Sequence, residues 1–183
     1  MTDSTLEALS GKLQSAAGTS PQPPLHLWAP ELSGDIDIVI RKDGSWIHEG
    51  GLIKRASLVA LFASILRRED DGEYYLVTPV EKWRLTVECL PLIVDDFDRE
   101  ESGAMRCRLN TGRSIEVDGD HPLFVPEMPC AGGIPAIQLD YGLAALFSRA
   151  AWYRLAEYCE ERDGIAGISA GGQFLPLEPE QGA

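Results

Sequence analysis

Residues 35–41 constrain this chain most. They alternate, with Ile36, Ile38 and Ile40 on one face and Asp35, Asp37, Val39 and Arg41 on the other, which is the period of a half-buried strand. Asp43-Gly44 supplies the positive backbone angles of a tight turn, and residues 45–48 return as a second strand with Trp46 and His48 on one face and Ile47 on the other. The hairpin needs an apolar cover. Leu58, Leu61, Phe62, Ile65 and Leu66 follow at helical spacing, the stripe of a helix packed on a sheet, and Gly72 after Asp70-Asp71 ends that predicted helix.

The second half reads differently. Tyr74 to Thr78 is apolar and aromatic, and Trp83, Leu85, Val87 and Cys89 alternate with polar residues. Further strands are expected at 92–97, 104–109, 113–118, 123–125 and 134–139, punctuated by Glu101-Ser102-Gly103, Asn110-Thr111-Gly112 and Asp118-Gly119-Asp120. This predicts a meander of short antiparallel strands. A long helix from about Gly142 to Glu161 closes it, with Leu143, Leu146, Phe147, Ala150, Arg154, Leu155 and Tyr158 near one face. Beyond Gly164 the chain turns glycine-rich and ends in Pro176, Glu178, Pro179 and Glu180, the composition of a loose tail. At the other end, residues 4–7 fit a capping box before Leu6, Leu9 and Leu13, and residues 16–24 have linker composition.

The expected fold class is therefore α+β, in two tandem related modules. The divisions are a short N-terminal helix and linker at 1–24, a hairpin–helix module at 25–82, a sheet and C-terminal helix module at 83–163, and a flexible tail at 164–183. Leu58, Ala60, Leu61 and Phe62 recur as Leu143, Ala145, Leu146 and Phe147, a constant offset that suggests a duplication in which both segments are helices.

Composition excludes several function classes. The net charge of −13 is uneven: residues 91–183 carry seven bases and sixteen acids, whereas residues 41–90 carry eight of each. The acidic half disfavours nucleic acid, whose binding rests on Lys and Arg. No apolar run approaches the roughly 18–20 residues of a membrane span, and the N-terminus lacks a basic, signal-like start, so a cytoplasmic location is expected. Cys89, Cys107, Cys130 and Cys159 include no C-x-x-C pair, which argues against zinc and redox dithiols and for ordinary reduced thiols.

Two motifs suggest chemistry. Residues 167–171 match the G-x-S-x-G of serine hydrolases, but a nucleophile elbow needs a preceding strand, a following helix and a later histidine, and His26, His48 and His121 all come earlier. Asp118, Asp120 and His121 are metal-ligand types, the basis of an alternative reading as a metal-assisted hydrolase, yet Asp-Gly-Asp before His-Pro is also turn composition. No catalytic residue, metal site or cofactor is assigned.

Several runs, taken in order, carry a resemblance. They are Trp28-Ala-Pro, Gly34-Asp-Ile-Asp, Asp43-Gly-Ser-Trp46, Arg55, residues 58–62, Leu66-Arg67-Arg68-Glu69, Thr78-Pro-Val-Glu81-Lys82, Leu109-Asn110-Thr111, His121-Pro122-Leu123 and residues 143–149. Across about residues 27–160 the chain resembles the bacterial family known as domain of unknown function 1285. The resemblance implies two modules with an internal repeat, the second superficially similar to a pleckstrin-homology fold, and a regulatory or signalling role through a ligand at the module junction. Fold likeness does not by itself license a lipid ligand.

The candidate ligand-binding residues are Asp37, Arg41, Trp46, Arg55, Glu81, Trp83 and His121, polar or aromatic positions within those motifs. Two readings stand for Asp35, Asp37, Arg41 and Glu81: an acid–base pair, or an ion-pair network that anchors the hairpin. Trp28, Trp46 and Trp83 serve either as core anchors or as a binding platform. The expected function is a non-enzymatic regulatory or ligand-binding protein, its partner an unknown small molecule or protein at the module interface. A protein-interaction module is the third alternative.

Overall fold

The computed structural model describes residues 23–177, together with Ala8 and Gly11. The predicted N-terminal helix and the last six residues otherwise lie outside them. The chain divides into two units: residues 1–88 with 141–143, and residues 89–140 with 144–183. Trp83 to Val87 thus belongs with the first unit, beyond the boundary expected at residue 82.

In the first unit, β1 (Leu32–Ile40), β2 (Trp46–His48) and β3 (Gly51–Leu52) form one meander. The helix α1 (Ala56–Ser64) follows, and then a second meander of β4 (Leu66–Arg68), β5 (Tyr74–Val77) and β6 (Lys82–Val87). All six strands join one sheet in the order β3-β2-β1-β6-β5-β4, with β1 and β6 parallel at its centre. The predicted hairpin is present: Ile38 and Ile40 are buried, and Ile40 sits opposite Trp46. The predicted helix is shorter than expected. It stops at Ser64, whose Oγ donates to the Leu61 carbonyl, and Leu66 begins a strand opposite Leu76.

The second unit repeats that strand order. Its first meander is β7 (Leu92–Arg99), β8 (Met105–Leu109) and β9 (Ser114–Glu116). The second is β10 (Leu123–Phe124), β11 (Ala136–Gln138) and β12 (Ala144–Phe147). The sheet runs β10-β11-β12-β7-β8-β9, again closing on a parallel central pair, β12 with β7. After it come α2 (Arg149–Ala156) and a three-stranded sheet of β13 (Cys159–Arg162), β14 (Ile165–Ala170) and β15 (Gln173–Pro176).

Three expectations are corrected here. The long capping helix is absent: residues 144–147 are a strand buried along its whole length, and α2 has only eight residues. Leu143 to Phe147 is therefore not a helical copy of Leu58 to Phe62, and the recurrence lies in strand order instead, β1 answering to β7 and β6 to β12. Residues 165–176 are a hairpin rather than a tail, because Gly164, Gly171 and Gly172 take the positive φ values of its turns. The parallel β7–β12 pair also departs from the all-antiparallel sheet that the pleckstrin-homology likeness implied. Two α-helices and mixed sheets among the described residues make this a mostly β, α+β chain of two domains.

Two cysteines are paired. Cys89 and Cys130, 41 positions apart, form a disulfide with a Cα–Cα distance of 5.8 Å, while Cys107 is a buried free thiol and Cys159 an exposed one. The expectation of four reduced thiols fails because close sequence spacing is not what brings them together. Cys89 and the loop after β10 meet over one apolar cluster with Leu90, Ile93 and Leu146. No helix among the described residues is long and apolar enough to cross a membrane.

Candidate functional site

Cross-strand pairing places the charged side chains. In the first unit the register sets Arg67, Tyr75, Arg84 and Asp35 in one row across β4, β5, β6 and β1. Arg67 Nη1 donates to the carbonyls of Leu25 (3.0 Å) and Trp28 (2.9 Å), which ties the segment before β1 to the sheet. Its other nitrogen pairs with Glu69, which also takes Lys82 Nζ at 2.9 Å. Lys82 Nζ lies 4.8 Å above the Tyr75 ring. The Arg84 Nε donates to Asp35 at 2.6 Å and holds that carboxyl below its usual range. Of the four residues expected in an ion-pair network, Asp35 is in one, with Arg84, and a separate group joins Arg67, Glu69 and Lys82.

Tyr75 has a consequence for titration. Its hydroxyl donates to Asp71 at 2.7 Å, and that bond, with burial second, pushes the phenol up to about 12. Because the folded value lies above the ordinary 10.0, the contribution to stability is complete below pH 10 and is lost as the pH rises through 12. Ultraviolet titration is expected to find one of the five tyrosines ionising near 12, and Asp71→Asn should return it toward 10.

Within the first unit, a side-chain hydrogen bond joins two of the sequence candidates, Glu81 and Trp83. Asp37 is exposed on β1, its carbonyl accepting the Glu49 N–H. Arg41 is a turn residue whose N–H donates to the Ser45 carbonyl, and Arg55 precedes α1, its carbonyl accepting the N–H groups of Leu58 and Val59. Trp46 is 1% exposed and stacks on Phe62 at 6.3 Å, so it is a core anchor. Glu81 Oε2 accepts from Trp83 Nε1 at 3.5 Å, and the Trp83 ring lies against Gly34. His121 belongs to the second unit, the other six to the first.

Around His121 the turn chemistry is explicit. Asp118 Oδ1 accepts the N–H of Asp120 (2.9 Å) and of His121 (2.8 Å), and His121 Nδ1 lies 3.2 Å from the same oxygen. The His121 N–H is the main reason that the Asp118 carboxyl sits below its usual range. On its other side His121 Nε2 faces Asp140 Oδ1 at 3.5 Å, and Asp140 pairs with Arg113 at 3.2 Å. Asp118 is thus committed to an Asx turn. Among the described residues no group of three or more His, Cys, Asp or Glu is arranged to hold a metal ion. Ser169 stands in mid-strand opposite Phe174 and donates to Glu160, which is no nucleophile elbow.

A concavity of ligand-sized volume was not anticipated. It occupies the second unit, measures about 380 Å³, and is lined by Asp98, Glu100, Ser102, Met105, Arg106 and Glu116, with the Gly171-Gly172 turn at one side. Asp98, Arg106 and Glu116 lie directly opposite one another across β7, β8 and β9. Arg106 pairs with Glu116 at 2.5 Å, leaving the carboxylates of Asp98 and Glu100 in excess. In β8, Met105, Cys107 and Leu109 are buried while Arg106 and Arg108 face out. That alternation was readable in the sequence. The turn that walls the cavity was not, since it belongs to the segment taken as a tail. None of the seven candidates lines it, nor a smaller concavity of about 250 Å³ beside Asp35, Glu73 and Arg84 in the first unit.

The comparisons with known proteins agree on both halves. Residues 23–90 match the model described as domain of unknown function (DUF1285), N-terminal domain, and residues 91–177 the DUF1285 C-terminal domain, of a protein of unknown function. The crystal structure of a DUF1285 family protein from Silicibacter pomeroyi DSS-3 is 34% identical, with a TM-score of 0.83 over 92% of this chain and 93% of that one. A DUF1285 family protein from Shewanella baltica OS155 is 31% identical, with a TM-score of 0.56 over 67% of this chain and 91% of that one. No curated protein matches the chain.

Proposed function

The chain belongs to the DUF1285 family through both its N-terminal and C-terminal domains, and from that premise we propose that it is a non-enzymatic ligand-binding protein with a regulatory role, whose ligand is a small organic cation. One observation carries the reading. The concavity of about 380 Å³ has the volume of a small-molecule site and is walled by three carboxylates, Asp98, Glu100 and Glu116, around Arg106. An amine or guanidinium entering it would find carboxylate acceptors in Asp98, Glu100 and Glu116. The net charge of −13 favours the approach of cations.

Thermal denaturation with spermidine, agmatine and arginine, against citrate as an anionic control, tests the proposal. At least one amine should raise Tm, and the shift should vanish in an Asp98→Asn, Glu116→Gln variant whose Tm without amine is unchanged. Absence of any amine-dependent shift, or a shift that survives in the variant, would overturn it.

A further inference from the structure

We propose that Cys89–Cys130 is a thiol–disulfide exchange site, attacked at Cys130, whose opening releases the loop between β10 and β11 and uncovers an apolar surface. This inference is independent of the cation-binding reading. Three observations carry it.

First, the two sulfurs are unequally placed. Cys89 is 6% exposed among Leu90, Ile93, Ala136, Ala144 and Leu146, whereas Cys130 is an exposed residue on the loop. An incoming thiolate comes from the solvent side, where Cys130 and not Cys89 is the exposed residue, which favours attack at Cys130 Sγ. Second, few backbone bonds tie the loop to the sheet. Ala131 N–H donates to the Met128 carbonyl, Gly132 N–H to that of Pro129 and Ile134 N–H to that of Ala131, all within the loop, while its last residue, Pro135, accepts the Phe147 N–H of β12 at 3.0 Å. Residues 125–134 are held by the disulfide and the apolar contacts of Ala131, Met128 and Ile134, and Pro126 is buried as well. Third, what lies beneath is apolar. Ala131 is 1% exposed as a plug over Ile93 and Leu146, and Met128 Sδ sits 3.8 Å from Cys89 Sγ.

The exchange balances with two equivalents of an external thiol. One thiolate attacks Cys130 Sγ; the S–S bond breaks, a mixed disulfide forms at Cys130, and the electron pair leaves on Cys89 Sγ, which takes a proton from water. A second thiolate attacks the sulfur of the bound thiol, frees Cys130 as a thiolate that is then protonated, and departs as the oxidised disulfide. The Cys89 thiol then remains as a small neutral group among apolar neighbours, an environment that suits it. Disulfides in reducing compartments are characteristically transient and regulatory, whereas a permanent staple belongs to oxidising ones.

The full-length protein should be equilibrated across glutathione redox buffers, alkylated, and read by peptide mass spectrometry alongside amide hydrogen exchange. Cys130 should become alkylated in a buffer of cytosolic poise. Amides of 126–134 should then exchange at least about tenfold faster, while those of β7, β8 and β12 keep their protection. Cys130→Ser should show the open loop in every buffer. Three results would overturn the proposal: a disulfide that stays closed at cytosolic poise, reduction that leaves loop protection unchanged, or reduction and Cys130→Ser that both strip protection from the whole unit, the mark of a structural staple.

Discussion

Replacing Phe62 with alanine is expected to cost about 3–5 kcal/mol, most of what holds a marginal domain together. Phe62 is completely buried and stacks on Trp46 at 6.3 Å, so the cavity left by its ring adjoins another large, fixed aromatic that has little room to collapse into it. It is also the buried side chain of α1, whose sequence Ala-Ser-Leu-Val-Ala-Leu-Phe-Ala-Ser is otherwise only half buried or exposed. Leu58→Ala, at a half-buried position of the same helix, should cost less. Hydrogen exchange on Phe62→Ala should show the loss in β1, β2 and α1, with protection retained across β7 to β9. A Phe62→Ala protein as stable as the parent would show that this helix is not anchored as described.

The second large effect is expected at Gly171. Its φ is +56°, where a side chain is strained by about 1–3 kcal/mol, and an added Cβ would overlap the Val117 carbonyl. That carbonyl cannot step aside cheaply: the Val117 N–H is bonded to the Met105 carbonyl at 2.9 Å, while the Gly171 N–H is bonded to that of Gly103 at 3.3 Å. Relief by displacing the β14–β15 turn would lose that bond and unwall the acidic concavity, for a further cost of about 1–3 kcal/mol. Gly171→Ala should therefore lower the midpoint of chemical denaturation. Gly103→Ala supplies the comparison, since it has positive φ but open space around the new Cβ and should cost less. Equal midpoints for the two variants would mean that the close approach at Val117 contributes nothing.

Much of the first unit was legible because its strands are half-buried and alternate. Ile38 and Ile40 went inward as the pattern required, and Asp43 closed the turn by accepting the Ser45 N–H at 2.9 Å. The misreadings share a cause. Residues 144–147 are buried on both faces at the centre of a sheet, so they form a continuous apolar run with no alternation, and Leu143, Leu146 and Phe147 also fit a helical stripe. The true helix start was marked by Ser148, whose Oγ accepts the Ala151 N–H at 3.2 Å. Leu66 to Arg68 was absorbed into α1 because Leu66 continues the helical spacing of Leu58, Leu61, Phe62 and Ile65, although the Asp70–Gly72 turn that pairs it with β5 lay in plain view. The candidate residues fared differently. Trp46 had both an anchor and a platform reading, and burial decides for the anchor, whereas the acidic cavity combines residues from β7, β8, β9 and a distant turn that no local spacing connects.

The shared strand order also governs how these domains come off the ribosome. In each six-stranded sheet, the first strand made is completed by the last: Ile40 waits for Val87, and Val94 for Phe147. At bacterial or eukaryotic elongation rates each central strand spends about 2–10 s with one edge unpaired while roughly fifty further residues are synthesised. During that interval β1 has its hairpin with β2, and β7 its hairpin with β8, so only one side of each stands open. Both waiting strands carry charges that discourage edge-to-edge pairing between nascent chains: Asp35 and Asp37 in β1, and Asp95, Asp96 and Asp98 in β7.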